Sequence, residues 1–310
     1  MRRVLDTGIN TTINSVAAGF SLAYDSLGRR TSLTLPNGVK TNYSYDNSSH
    51  LLEMKHLSPV NSVLEALNYG YDASGNRISM NRASVSLPLR SEVTATNYNE
   101  ANQMLRYNAV SDNIAYDENG NLLSVTNNCG TTNYNWDVRN RLSSISGFKP
   151  DCTALTASFK YDALGRRIEK TVGGRTIQYL YDGLDIVQEI EGGAVSANYV
   201  RTMNIDEPLA RIKADGTVRY YQHDTLGSVI ALTDETGTIR TQYSYDPFGG
   251  VIITGEASDN PFQYTGREND NTGLNYYRAR YYDPQLKRFI SEDPIGLEGG
   301  INVYAYVGNE

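Results

Sequence analysis

Polar and apolar positions alternate with a period of two along most of the chain. Val39, Thr41, Tyr43 and Tyr45 fall on one face of an extended segment, and Lys40, Asn42 and Ser44 on the other, because successive side chains of a strand point to opposite faces. One face is amphipathic rather than uniformly apolar. Turn signals of two kinds bound such segments. The first is an aromatic residue followed by Asp and, three residues after the Asp, by Gly. The clear copies read YDSLGRR from Tyr24, YDASGNR from Tyr71, YDENGNL from Tyr116, YDALGRR from Tyr161, HDTLGSV from His223 and YDPFGGV from Tyr245. Degenerate copies begin at Tyr45, Tyr98, Trp136 and Tyr181. Most starts lie 18 to 27 residues apart, with an interval of 42 before His223. The second signal stands between copies, at Asn37-Gly38, Gly173-Gly174, Gly192-Gly193, Asp215-Gly216 and Asp234 to Gly237.

The repeat positions Tyr24, Asp25 and Gly28, and likewise Tyr71, Asp72 and Gly75, Tyr116, Asp117 and Gly120, Tyr161, Asp162 and Gly165, and Tyr245, Asp246 and Gly249, suit a type I turn closed by a left-handed residue. The Asp carboxylate accepts from backbone amides ahead of it, and Gly tolerates a positive φ. Each unit is expected to give two strands of about eight residues, about 26 Å long. A lone hairpin is marginal in water, so each must lean on the next, and the tyrosines before the turns are expected to stack into a ladder. The uneven spacing fits a winding ribbon better than a propeller, whose blades need a four-strand period.

Composition agrees with an all-β chain of repeated antiparallel hairpins. There are 24 tyrosines against 6 phenylalanines and 1 tryptophan, and 27 glycines against 9 prolines, a mixture of strand formers and turn formers. The net charge of -7 argues against a basic nucleic-acid binder. The 310 residues hold no apolar run of the roughly 18 needed to span a bilayer, and the start MRRVLDTGINTTINSVAAGF lacks the apolar core of a secretory signal. Cys129 and Cys152 are too few for a disulfide scaffold or a thiolate zinc site; two reduced cysteines are the ordinary expectation, and a pair the alternative in an oxidising compartment.

Near the C-terminus the sequence PFQYTGRENDNTGLNYYRARYYDPQLKRFISEDPIGLEGGINVYAYVGNE runs from Pro261 to Glu310. It contains Gly266-Arg267-Glu268, Tyr276-Tyr277-Arg278, Arg280-Tyr281-Tyr282-Asp283-Pro284 and Asp293-Pro294-Ile295-Gly296-Leu297. Together with the Tyr-Asp-x-x-Gly units, this closely resembles the RHS (YD-repeat) proteins with their RHS-repeat-associated core domain. The resemblance implies repeats over residues 1–241 and a core domain over 242–310, with Arg267, Arg278, Arg280, Tyr282, Pro294, Gly296 and Leu297 as core-motif positions. It also implies a β-ribbon that spirals into a hollow shell, sealed by the core and enclosing a downstream toxin, with relatives among insecticidal toxin complexes, type VI effectors and animal teneurins. The implied partners are that toxin cargo, further shell segments and secretion components. The implied localisation is bacterial export or display on the cell surface by a specialised route. In bacterial members the core resembles an aspartyl autoprotease cutting past a second Asp-Pro-x-Gly-Leu. This sequence stops at Glu310, before that motif, so it is expected to be a C-terminal piece of a shell, inactive in self-cleavage as it stands.

Candidate chemistry centres on Asp293. Aspartyl catalysis needs two carboxylates sharing one proton; within the chain Asp283 and Glu292 are near in sequence. The plainer reading is that Asp283 and Asp293 cap turns, with Pro fixing φ at the next position. Arg267, Arg278, Arg280 and Arg288 suit carboxylate pairing. If residues 277–282 form a strand, Arg278, Arg280 and Tyr282 share one face and Tyr277, Ala279 and Tyr281 the other. No nucleophile elbow, phosphate loop, dinucleotide fingerprint or zinc-protease helix occurs, and no cofactor or metal is expected. His50, His56 and His223 are scattered, with His223 in a repeat's aromatic slot as a packed ring. Residues 117–121 resemble half a calcium loop but lack the distal Glu.

Three functions compete. A shell module predicts repeat tyrosines turned inward; an adhesin or carbohydrate-binding surface predicts them as an exposed stripe; a glycan hydrolase would use repeat acids such as Asp25 and Asp162, whose recurrence turn chemistry already explains. Open sheet edges also predict association of the isolated chain.

Overall fold

The computed structural model describes residues 7–14, 16–83, 96–108 and 113–307. Readings that concern the first six residues or Glu310 lie outside them. No α-helix occurs among the described residues. Strands β1 (Gly8–Ile13), β2 (Val16–Tyr24), β3 (Arg30–Thr34), β4 (Lys40–Tyr45), β5 (Leu51–Leu57), β6 (Val63–Tyr71) and β7 (Arg77–Arg82) form an antiparallel meander in chain order. The short pair β8 (Thr96–Tyr98) and β9 (Met104–Tyr107) follows. Next come β10 (Ile114–Tyr116), β11 (Leu122–Asn127), β12 (Gly130–Trp136), β13 (Leu142–Phe148), β14 (Ala154–Tyr161), β15 (Arg167–Val172), β16 (Arg175–Asp182) and β17 (Asp185–Glu191), each paired with its chain neighbour. Strands β18 (Ala194–Arg201), β19 (Pro208–Lys213), β20 (Val218–His223), β21 (Val229–Thr233), β22 (Ile239–Tyr245) and β23 (Val251–Gly255) repeat the pattern. The short strands β24 (Glu268–Asn269), β25 (Asn275–Tyr276), β26 (Tyr281–Asp283) and β27 (Arg288–Phe289) make a four-stranded sheet.

Asp25 shows why the turns form. Its amide donates to the carbonyl of Arg29 and its own carbonyl accepts from Gly28 at φ 78°, while Oδ1 takes the amides of Leu27 and Arg29 at 3.0 and 2.9 Å. The same frame recurs at Asp46, Asp72, Asp117, Asp137, Asp162, Asp224 and Asp246. Asn99 replaces Asp in it, and Ser49, Asn102 and Asn140 take the left-handed position of Gly. The opposite ends of the hairpins use the same backbone frame at Leu35–Val39, Ser58–Ser62, Lys149–Thr153, Lys213–Thr217 and Asp234–Thr238. The extra residue shifts the register beside the aromatic position, pairing Tyr24 with Arg30, Tyr45 with Leu51 and Tyr161 with Arg167.

Two expectations change. Most strands are shorter than eight residues, and many have five to seven, because each five-residue turn takes more of the repeat than a tight hairpin would. The copy at Tyr181 instead closes tightly, with Asp182 opposite Asp185 and Gly183 at φ 57°.

The described residues divide into two compact units, each drawn from separate stretches of chain. One contains residues 7–83 with Val195–Tyr245 and Val251–Gly266; the other contains residues 96–194, Asp246–Gly250 and residues 267–307. In the first, Phe20, Leu22, Leu33 and Val39 pack with Leu209, Ala210 and Val218. In the second, Leu122, Leu142, Ile145 and Phe159 pack with Leu274, Tyr276, Tyr281 and Ile290, burying core-motif residues against repeat strands.

Candidate functional site

The repeat aromatics are structural anchors. Tyr45 donates its hydroxyl to the carbonyl of Arg30 at 2.8 Å, Tyr71 to Leu51 at 3.0 Å, Tyr161 to Leu142 at 2.8 Å, Tyr181 to Arg167 at 2.9 Å and Tyr245 to Val229 at 2.6 Å. Trp136 does the same through Nε1 to Leu122 at 2.8 Å. The acceptor is always the residue paired with the preceding copy's aromatic. The expected ring-on-ring ladder is therefore replaced by an alternating one. Alternate strands lie about 9.6 Å apart, too far for direct stacking, and the residue five beyond the previous aromatic fills the gap. Arg29 lies 4.7 Å over the Tyr45 ring, Arg141 4.9 Å over Tyr161 and Arg166 5.2 Å over Tyr181, and His50 stacks on Tyr71 at 4.7 Å. Each arginine also binds its own turn's Asp, as Arg29 Nε does Asp25 Oδ2 at 2.7 Å, and donates to the next turn's backbone, as Arg29 Nη1 does to the Asp46 carbonyl at 3.0 Å. The Tyr-Asp-x-x-Gly pattern leaves this position out, although the recurring Gly-Arg of YDSLGRR and YDALGRR carries it.

In the second unit, core-motif acids meet a buried repeat arginine. Arg167, with no exposed side-chain surface, binds Asp270 and donates to Glu268 at 2.6 Å. Lys170 reaches Asp270 at 3.0 Å, and the Arg167 guanidinium lies 4.1 Å over Tyr276. Burial opposes the charge on Asp270, yet Arg167 and Lys170 outweigh it and hold its carboxyl below the usual range. The two cations and two carboxylates balance.

Residues 277–280 are a turn, so the strand on which the division of faces depends does not form over them. The amide of Tyr277 donates to the carbonyl of Arg280 at 2.8 Å and Arg278 has φ 62°, so the proposed division of faces fails. Burial on both sides of β26 follows, with Tyr281 and Tyr282 both buried. Tyr282 donates to the carbonyl of Phe248 at 3.0 Å. Acid pairing holds for Arg280, with Asp293 at 2.8 Å, and for Arg278, with Asp185 at 3.5 Å. Arg288 instead lies over Tyr98 and Tyr304 and donates to the Asn102 carbonyl at 2.6 Å. Arg267 lies 5.8 Å over Tyr277, and burial lowers it to about 10.

Asp293 accepts the amide of Ile295 at 3.1 Å on Oδ1, and its carbonyl accepts from Gly296 at 2.8 Å. Pro294 thus occupies the second position of a turn, Gly296 has φ 60° and Leu297 projects with 76% exposure. Asp283 is buried and caps the amides of Gln285 and Leu286 at 2.7 and 3.0 Å. Glu292 Oε1 stands 3.3 Å from the Tyr304 hydroxyl. The three carboxylates therefore have separate partners, and the geometry of Asp283 and Asp293 is that of turn caps.

In the first unit, a cleft of about 1030 Å³ opens between one face of β2–β6 and the loops after β18 and β20. Arg30 holds Glu207, which also accepts from Thr202 and Asn204 at 2.5 and 2.8 Å. Burial would raise Glu207, but these bonds outweigh it and bring it down to about 2. His56 is buried, shares a hydrogen bond with Thr41 at 2.9 Å and contacts the His223 carbonyl through Nε2 at 3.0 Å. Burial pushes His56 and His223 down to about 4. His223 stacks on Tyr221 at 5.8 Å, the packed ring expected of its repeat slot. Asp117 accepts the amides of Asn119 and Asn121 as a repeat turn.

The expectation of reduced cysteines is overturned. Cys129 and Cys152 form a disulfide with Cα atoms 5.1 Å apart. Their loops, Asn127–Gly130 and Lys149–Thr153, project from the same ends of neighbouring hairpins, a proximity that a separation of 23 residues hides.

Chained antiparallel hairpins locked turn to turn define a YD-repeat β-protein. The sequence model of the Teneurin YD-shell family matches residues 9–299, and the chain belongs to that family. It is 33% identical over 254 residues to the tRNA3(Ser)-specific nuclease WapA of Bacillus spizizenii, covering 78% of this chain and 10% of that protein. It is 29% identical over 303 residues to the double-stranded DNA deaminase toxin A of Burkholderia cenocepacia, covering 87% of this chain and 20% of that protein. The chain thus spans a fifth or less of these relatives' length. The crystal structure of TcdB2-TccC3-Cdc42 superposes with a TM-score of 0.71 at 22% identity, over 97% of this chain and 19% of that one. It shares the fold.

Proposed function

We propose that this chain is a wall segment of a β-shell that encloses a toxin or effector polypeptide. The observation that carries this reading is the fate of the repeat aromatics. Tyr45, Tyr71, Tyr161 and Tyr181 are half-buried, their hydroxyls bonded to backbone and their rings covered by Arg or His. Such side chains hold a wall together, and an adhesive surface would need them exposed. Membership of the YD-shell family and toxins among the relatives support it. In this reading residues 242–310 act as the sealing core, the partners are a cargo polypeptide and further repeat segments, and the assembly is a bacterial toxin exported by a specialised route such as type VI secretion.

Self-cleavage belongs to this reading only as a property of a longer product. Asp293 would then exchange its turn-capping partners for a second carboxylate supplied beyond residue 310. The test is the intact mass of the protein expressed from its natural frame continued past Glu310, beside the same product carrying Asp293→Asn. A cut after residue 310 that disappears in the variant supports self-processing. An uncut chain in both leaves Asp293 a turn residue and the wall passive.

A further inference from the structure

Strand β23 ends its run of paired strands, with β22 on one side and no strand partner on the other among the described residues. Its sequence, Val251-Ile252-Ile253-Thr254-Gly255, is uncharged, rich in β-branched side chains and free of proline. Ile252 and Ile253 are 49% and 42% exposed. Natural edges are usually blunted by charge, proline or a bulge, and residues 251–254 carry neither charge nor proline.

The hydrogen-bond phase of the edge follows from its flanks. Asp246 donates to the Gly250 carbonyl at 2.9 Å and Glu256 to the Arg240 carbonyl at 2.7 Å. The register between them is unbroken, with Ser244 opposite Ile252 and Gln242 opposite Thr254. Hydrogen-bonded pairs alternate in an antiparallel ladder, so Ile252 and Thr254 bond inward to β22. The N–H and C=O groups of Val251 and Ile253 face outward, while Gly255, at φ 85°, departs from the strand conformation and ends the edge.

We propose that β23 is a docking edge for β23 of a second copy of this chain, paired antiparallel about a two-fold axis at Ile253. The phase makes the edge self-complementary. In that register Ile253, with its outward-facing groups, meets Ile253 of the other copy, and Val251 falls opposite the end of the strand at Gly255. Charge agrees with it, because Glu256 falls opposite Gly250 and no like charges meet. Such an interface extends the β18–β23 ladder by β-augmentation. Five residues a side fall short of the roughly 1,200 Å² of a standard interface, so the dimer is reversible and concentration-dependent.

The experiment is sedimentation velocity of the 310-residue chain over a wide concentration range, with Ile253→Pro and Ile253→Lys beside the wild type. Pro removes an outward N–H without touching the inward ladder, and Lys places like charges across the two-fold. The expected result is a wild-type dimer weakened at least about tenfold in both variants, with the Ile253 amide protected from exchange only at high concentration and that of Ile252 protected throughout. Should the Pro variant misfold, the Lys variant and the exchange pattern decide. A wild type monomeric throughout, or a dimer persisting in the variants, overturns the proposal.

Discussion

Lowering the pH from 7 to 5 is expected to weaken the first unit through His56. Its ring is buried between Thr41 on β4 and the His223 carbonyl on β20, beside the buried Glu65–Arg82 ion pair. The neutral tautomer with a proton on Nε2 satisfies both contacts. Burial brings the folded-state value down to about 4 from the ordinary 6.5, so the unfolded chain takes up the proton first. Stability is therefore complete above about pH 6.5 and is lost as the pH falls through the window towards 4. Integrating between pH 7 and pH 5 gives a loss of about 2 kcal/mol from His56 alone. His223, lowered to about 4 by burial, adds a comparable amount if it titrates independently. Asp224, raised by burial, works in the opposite sense and cannot mimic the loss. The assay is urea denaturation at pH 7, 6 and 5 for the wild type and His56→Gln. Gln keeps a donor for the His223 carbonyl and does not titrate, so the variant should lose about half of the acid sensitivity. If it weakens with acid as steeply as the wild type, the assignment to His56 is wrong.

Other outcomes follow from the second unit. Arg167→Met strands Glu268 and Asp270 with Lys170 alone and should cost about 3 to 5 kcal/mol in denaturant titration, part of it recovered by adding Asp270→Asn. Tyr161→Phe removes the bonds to the Leu142 carbonyl and to the Tyr281 hydroxyl and should cost about 1 to 3 kcal/mol; no change would show the ring, not the hydroxyl, to be the anchor. Reducing the Cys129–Cys152 bond, which closes a span of 23 residues, should cost about 3 kcal/mol, and thermal melts with and without reductant would read it as a lower midpoint absent from Cys152→Ser.

The repeat was legible because its residues answer to local chemistry. Asp25 and Gly28 are fixed by amides and a φ angle within five residues, so the spacing of Asp and Gly alone reveals the turn. The alternation at 39–45 was equally local, with Val39 and Thr41 buried and Ser44 exposed. What stayed hidden depends on residues far apart in the chain. The Arg167 cluster joins side chains about a hundred positions apart, and the cysteines meet only because neighbouring hairpins bring their loops together. Residues 277–282 look like a strand by composition, but a left-handed Arg278 turns them back. The frame at Lys149–Thr153 is hidden because it persists with Lys149 in the place of Asp and a left-handed Cys152 in the place of Gly. The Asp283 and Asp293 positions were legible as turn caps, since Asp-Pro dictates that locally.

Encapsulation is tested most directly by limited trypsin digestion of the gene product containing residues 1–310, made with the polypeptide its frame encodes beyond Glu310. The polypeptide beyond residue 310 is expected to survive protease levels that destroy it when expressed alone, and to become sensitive once the repeats are unfolded. Digestion at the same rate in both settings would contradict the shell.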